Sequence, residues 1–170
     1  MKKIGIIIFM VLALMGGCKT KTKTQNLDYE TTISDTPVQN QDWIDLGLSS
    51  GTKWKCQNEH GLVDFNQAES DFGSTLPTQE QWEELENTCQ WIWLGNGYQI
   101  TGPSGKSIVL PAEGYRNCDG DTNCIGTYGI YWAALPLNSE FPCYFFSNSS
   151  GIGVYKFDRC YGLSVRLVQK

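Results

Sequence analysis

The sequence predicts an α+β domain standing behind an N-terminal leader and tether. Helix-start signals are confined to residues 64 to 89, and β-prone runs punctuated by glycine turns fill most of the remainder. The composition agrees: of 170 residues, 41% are hydrophobic and 12% aromatic, which is enough for a core. Charged residues are 18%, below the roughly 25% of an average domain. These proportions exclude a disordered chain and a coiled coil. A net charge of −5 argues against a nucleic-acid partner, which would need a basic face. Seven cysteines, an odd number, call for an explanation.

The chain begins as an address. Lys2 and Lys3 precede an apolar run from Ile4 to Met15, followed by Gly16, Gly17 and Cys18. That is a positive n-region, a short h-region and small residues before a cleavage site. The run is shorter than the roughly 20 residues a membrane span needs. Leu14–Met15–Gly16–Gly17–Cys18 resembles a bacterial lipobox, which implies cleavage before Cys18 and acylation of that cysteine. Residues 1–17 are thus expected to be a lipoprotein signal peptide, and 18–41 the lipidated cysteine with a polar tether. The tether lacks apolar periodicity and would span about 25 Å as a flexible coil. Lys19, Lys21 and Lys23 stand where surface-exported lipoproteins carry acids. The expected location is therefore the outer membrane, lipid-anchored on its periplasmic side, with the cell surface as the alternative.

Residues 42–170 read as the folded domain. Trp43–Leu48 and Thr52–Cys56 are β-prone runs split by the turn Ser49–Ser50–Gly51. Asp64 and Gln67 form a capping-box pattern, Phe65, Ala68 and Phe72 fall on one helical face, and Gly73 stops that helix. Thr78 caps a second helix, with Gln81 three residues on, Glu80 in the first turn, and Trp82, Leu85 and Cys89 on the buried face. Strands follow at Trp91–Leu94 and Tyr98–Thr101 around Gly95–Asn96–Gly97, then at Ser107–Leu110, Gly129–Ala134, Cys143–Ser147 and Gly153–Asp158. In the closing run Leu163–Val168, Val165 and Leu167 alternate with Ser164 and Arg166, the pattern of one buried and one polar face.

Four segments together carry a family resemblance. They are Trp43–Trp54, the Leu76–Leu85 helix (Leu-Pro-Thr-Gln-Glu-Gln-Trp-Glu-Glu-Leu), Gly114–Tyr115–Arg116 with Tyr128–Trp132, and Tyr161–Val168 with its Ser-Val-Arg core. In this order the chain resembles the Fibrobacter succinogenes-type major paralogous domain found in Bacteroidota lipoproteins. The resemblance covers most of residues 43–169. It implies a C-type-lectin-like fold, with two short helices packed on small antiparallel sheets and a strand-rich C-terminal half. It also implies pairing of the first and last strands. In retroelement-diversified relatives the ligand surface lies just before the closing strand. By position that points to Tyr155, Lys156, Asp158, Arg159 and Tyr161, with a purely structural hairpin as the other reading.

The remaining candidates come from the residues themselves. With Cys18 acylated, Cys56, Cys89, Cys118, Cys124, Cys143 and Cys160 form an even set, which outside the cytoplasm reads as disulfides. Proximity favours Cys118–Cys124, Cys143–Cys160 and Cys56–Cys89 among fifteen pairings. His60 is the only histidine, and Cys56 with His60 falls short of the three or four ligands zinc needs. Asp119, Asp121 and Asn123 alternate like calcium ligands, but Cys124 and Ile130 stand where an EF-hand needs glycine and glutamate. A polar turn is expected there, with calcium the alternative and no other cofactor. Glu80, Glu83, Glu84 and Glu86 read as a solvated helix face rather than a catalytic pair. Trp91 and Trp93 share one strand face and are candidates for a stacking platform, Ile92 and Leu94 the other. With no catalytic residue assigned, the sequence points to a non-enzymatic ligand-binding or adhesion module anchored to a membrane, taking a glycan or protein ligand. The alternatives are an envelope enzyme on glycans or peptides and a purely structural envelope protein.

Overall fold

Two N-caps set the helical part of the fold. Asp64 accepts from the Gln67 backbone N–H at 3.0 Å and starts α1 (Phe65–Phe72). Gln67 does not complete a capping box there, because its amide reaches forward to Asp71. Thr78 starts α2 (Gln79–Thr88) with both halves of the box: Thr78 Oγ1 accepts from Gln81 N, and Gln81 Oε1 accepts from Thr78 N. Gly73 ends α1 and opens a short 3₁₀ turn, Gly73–Thr75. The structure is a computed structural model; it describes residues 42–135, 142–156 and 158–170, all within one unit, Gln39–Lys170. The expectations for the leader, Cys18 and the tether lie outside the described residues.

The described strands are short and their pairings antiparallel. β1 (Trp43–Asp45), β2 (Lys53–Lys55) and β11 (Val168–Gln169) form one sheet in the order β1-β2-β11. The first and last strands therefore flank β2 rather than pairing with each other. The second sheet is the expected hairpin, β3 (Gln90–Trp93) and β4 (Gly97–Thr101), extended by β5 (Ser107–Pro111). A two-residue ladder, β6 (Tyr115–Arg116) with β7 (Thr122–Asn123), was not signalled by any alternation. Gly114 makes its approach possible: at φ +73°, a Cβ there would lie 2.1 Å from the Asn123 carbonyl oxygen. The last sheet holds β8 (Gly129–Trp132), β9 (Cys143–Asn148) and β10 (Gly151–Lys156). The architecture is α+β, with two short helices and small antiparallel sheets.

β8 is buried along its whole length and partitions the core. By period-two alternation Tyr131 joins the larger cluster, with Trp54, Trp82, Leu85, Ile100, Leu110 and Phe145. Ile130 and Trp132 join the second, with Phe65, Ala68, Leu163 and Val165. At the centre of the larger cluster Trp82 of α2 stacks on Phe145 of β9, 4.4 Å between centroids and 8° between planes.

The closing run departs from its expected pattern. Only Val168–Gln169 is strand; Leu163 and Ser164 make isolated bridges to Val63 and Tyr131. Ser164 and Arg166 do not face water: both are buried, Arg166 to 1% exposure.

α2 is pinned to the β1–β2 turn by Glu84. Its Oε1 accepts from Ser49 Oγ and Ser50 N at 2.8 and 2.9 Å, and its Oε2 from Ser50 Oγ at 2.5 Å. Burial alone would raise this carboxyl, but the hydrogen bonds from Ser50 and Ser49 outweigh it and hold the pKa below its ordinary value. A depressed folded-state pKa gives stability above the unfolded pKa that is lost as pH falls through the folded one. Glu84→Gln should therefore cost about 1 kcal/mol at pH 7, allowing for solvent screening, and the gap to wild type should be smaller at pH 3. Thermal unfolding at the two pH values checks this, and an undiminished gap in acid would refute it.

Candidate functional site

Aromatic residues crowd one face of the β8–β9–β10 sheet. Tyr144 lies opposite Tyr155, and Phe146 opposite Gly153. The Tyr155 ring folds back over Gly153, where a Cβ would meet its Cε2 and Oη at 3.2 Å. This posture brings Tyr155 beside Phe146 (6.2 Å between centroids) and Tyr144 (5.8 Å). Tyr128 adds its ring edge-on to Phe146 at 5.1 Å. The result is a strip of four rings in which Tyr155 is 52% exposed and the other three are half-buried. Burial, then the neighbouring Tyr155, raises the Tyr144 phenol above its ordinary pKa, so it stays a neutral donor.

The other residues expected beside Tyr155 divide. Lys156, at the end of β10, and Asp158 are exposed. Arg159 is engaged with α1: its guanidinium lies 4.9 Å from the Phe65 ring centroid, donates to Asn66 Oδ1 and pairs with Glu69 at 3.8 Å. Tyr161 packs half-buried against Tyr115, 5.9 Å between centroids.

Trp91 and Trp93 lie on the strand face that packs toward the larger cluster. Both pack half-buried against the larger cluster, edge-on to Tyr98 at 5.4 and 5.0 Å, and Trp91 Nε1 donates to the Leu85 carbonyl. It is the aliphatic face that looks outward, with Ile92, Leu94 and, across the sheet, Val109 each more than two-fifths exposed.

A buried polar network forms the second notable constellation, which sequence reasoning missed. Arg166 donates from Nε to Asn58 Oδ1 (2.8 Å), from Nη1 to the Lys55 carbonyl (2.7 Å) and from Nη2 to the Val109 carbonyl (2.6 Å). Asn58 Nδ2 passes the chain on to Glu113 Oε2 at 2.9 Å, which also accepts from Ser164 Oγ at 2.7 Å. Tyr131 donates to the Pro111 carbonyl, and burial drives its phenol pKa well upward. Burial pulls Arg166 downward against the negative groups around it, yet a guanidinium retains its charge. Asn58, Glu113 and Arg166 border a cleft of about 480 Å³, with Cys56, Gln57, Glu59, His60, Gly61, Val109 and Pro111 completing its lining. Lys55 and Glu59 form an ion pair beside it.

Two acids of α2, Glu80 and Glu84, are shifted downward. Glu80 is held low by its own backbone N–H at the helix start and by Thr78, and Glu84 by the turn serines. Both border a groove of about 380 Å³ with Lys170. A general acid working near neutral pH needs the opposite shift. At the expected polar turn, Asn117 Oδ1 accepts the backbone N–H groups of Asp119 and Asp121. Asn123 Nδ2 donates to the Asp121 carbonyl. Among the described residues no three His, Cys, Asp or Glu groups are disposed to hold a metal ion.

The cysteine pairing is corrected. Cys118 bonds to Cys160, with Cα atoms 5.1 Å apart, and Cys56, Cys89, Cys124 and Cys143 are free thiols. The β6–β7 register places Tyr115 opposite Asn123, so Cys118 sits at the turn while Cys124 lies past the other end of the ladder. Cys143 points into the core opposite Lys156, whereas Cys160 is exposed beyond the end of β10. Cys56 borders the cleft and Cys89 packs against the larger cluster at the end of α2. Comparison with known protein families, with curated proteins and with solved structures finds no match for this chain.

The thiols should separate by reactivity, because the thiolate is the nucleophile. Burial and the Glu84 carboxylate push Cys89 up to about 11, and burial raises Cys143. With iodoacetamide at pH 8, exposed Cys124 should label first, and Cys89 and Cys143 at least tenfold more slowly. Mass mapping without reductant should recover Cys118 joined to Cys160; a Cys118–Cys124 peptide would overturn the assignment.

Proposed function

We propose that the chain is an extracytoplasmic lipoprotein whose C-type-lectin-like domain is a non-enzymatic ligand-binding or adhesion module. The aromatic strip Tyr128–Phe146–Tyr155–Tyr144 carries this reading. Flat, partly exposed rings offer large contact area at low entropic cost, and tyrosine is enriched among residues that dominate binding energy. The strip includes Tyr155, to which the family resemblance of the sequence also points. The α+β architecture is compatible with the C-type-lectin-like fold. The signal-like leader, the lipobox ending at Cys18 and the polar tether support anchoring in the outer membrane, facing the periplasm. The ligand is a glycan or protein surface presenting a flat apolar face.

Two measurements test the reading. Intact mass of the chain purified from membranes should show Cys18 as the first residue, carrying thioether-linked and amide-linked acyl groups. A free, unacylated N-terminal cysteine sinks the anchoring claim. The purified chain, screened on envelope glycans and envelope proteins with calcium and with chelator, should bind a member of one set. Tyr155→Ala should weaken that binding at least tenfold with an unchanged melting temperature. Equal binding by the variant removes the strip from the interface.

A further inference from the structure

The cleft above Arg166 holds both signs of charge with no ion pair between Arg166 and Glu113. Arg166, 1% exposed, spends three of its five N–H groups on neutral acceptors, and no ion pair involves it among the described residues. Glu113 Oε2 takes the hydrogen bonds of Asn58 and Ser164, while its Oε1 has no described partner. The Asn58 amide stands between the two, accepting from the cation and donating to the anion. A positive floor and a negative wall thus share one space of about 480 Å³. In a partly buried site such separated charges act more strongly than they would in water.

A ligand with a single charge satisfies one pole and is repelled by the other. A neutral ligand gains little from either. The complement is a small molecule with an anion and a cation a few ångströms apart. The rest of the lining adds a preference: Val109 and Pro111 give the cleft an apolar side, and Val109 continues it onto the exposed face bearing Ile92. We propose that this cleft binds a zwitterionic α-amino acid with an aliphatic side chain. Its carboxylate lies toward Arg166, its ammonium on Glu113 Oε1, and its side chain against Val109 and Pro111. This site is separate from the aromatic strip and does not rest on the function proposed for it.

Equilibrium dialysis of the purified full-length chain against radiolabelled leucine tests the proposal. Leucine should bind saturably. Leucine methyl ester, which lacks the carboxylate, and 4-methylpentanoate, which lacks the ammonium, should each compete at least tenfold more weakly. Glu113→Gln keeps an acceptor for Asn58 and Ser164 but removes the charge, and should weaken leucine binding at least tenfold. Should that variant fail to fold, Val109→Arg decides: Val109 lines the cleft and is 43% exposed, so a bulky cation there should be tolerated by the fold and weaken leucine binding at least tenfold. The proposal is overturned if leucine does not saturate, if either analogue competes as well as leucine, or if the folded variant binds like wild type.

Discussion

The buried guanidinium of Arg166 is the constraint around which the domain closes. A charge at 1% exposure is costly unless its hydrogen bonds are supplied by fixed partners. Here they come from two stretches distant from it in sequence: Lys55 at the end of β2 with Asn58 just beyond it, and Val109 of the outer strand β5. Satisfying Arg166 fixes where the closing segment lies, and with it Leu163, Val165 and Leu167 in the second core cluster. Ser164 repeats the arrangement one turn of the pleat earlier, through Glu113. Removing one member strands the others, which is why such networks specify a single arrangement when complete.

β8 lets two unequal cores share one small domain. Each of its residues is buried, so Tyr131 and Trp132 serve opposite sides with no solvent face between them. The polar ends of both find backbone partners: Tyr131 gives its hydroxyl to Pro111, and Trp132 its indole N–H to Val63. The Cys118–Cys160 bond ties the β6–β7 turn to the approach of the closing segment, where Arg116 and Gly162 exchange backbone hydrogen bonds. Covalent and hydrogen-bonded links thus converge on the same junction.

What the sequence made legible was local. Asp64, Thr78 and Gly73 mark helix ends because their chemistry acts within three or four residues. Gly95–Asn96–Gly97 marks a hairpin for the same reason. What it hid depends on distant partners. Alternation in Ser164–Leu167 shows a polar face but not whether that face meets water or the side chains of Asn58 and Glu113. Proximity in sequence paired Cys118 with Cys124, and a register set by two residues of ladder separates them. On β3 the pattern separated Trp91 and Trp93 from Ile92 and Leu94 without saying which pair the larger cluster would take. Asn58, Glu113 and Arg166 are 55, 53 and 108 residues apart pairwise, beyond the reach of any local motif.

The hydrogen bonds that Arg166 and Tyr131 give to Val109 and Pro111 have one more effect. β5 borders its sheet and carries part of an outward aliphatic face, the combination that invites a strand from another molecule. Two of its carbonyls are already occupied, and Pro111 has no N–H to offer. The domain can therefore display Ile92, Leu94 and Val109 at its surface while denying neighbouring copies a regular ladder on β5. Resistance to edge-to-edge pairing on β5 is built into the same bonds that close the fold.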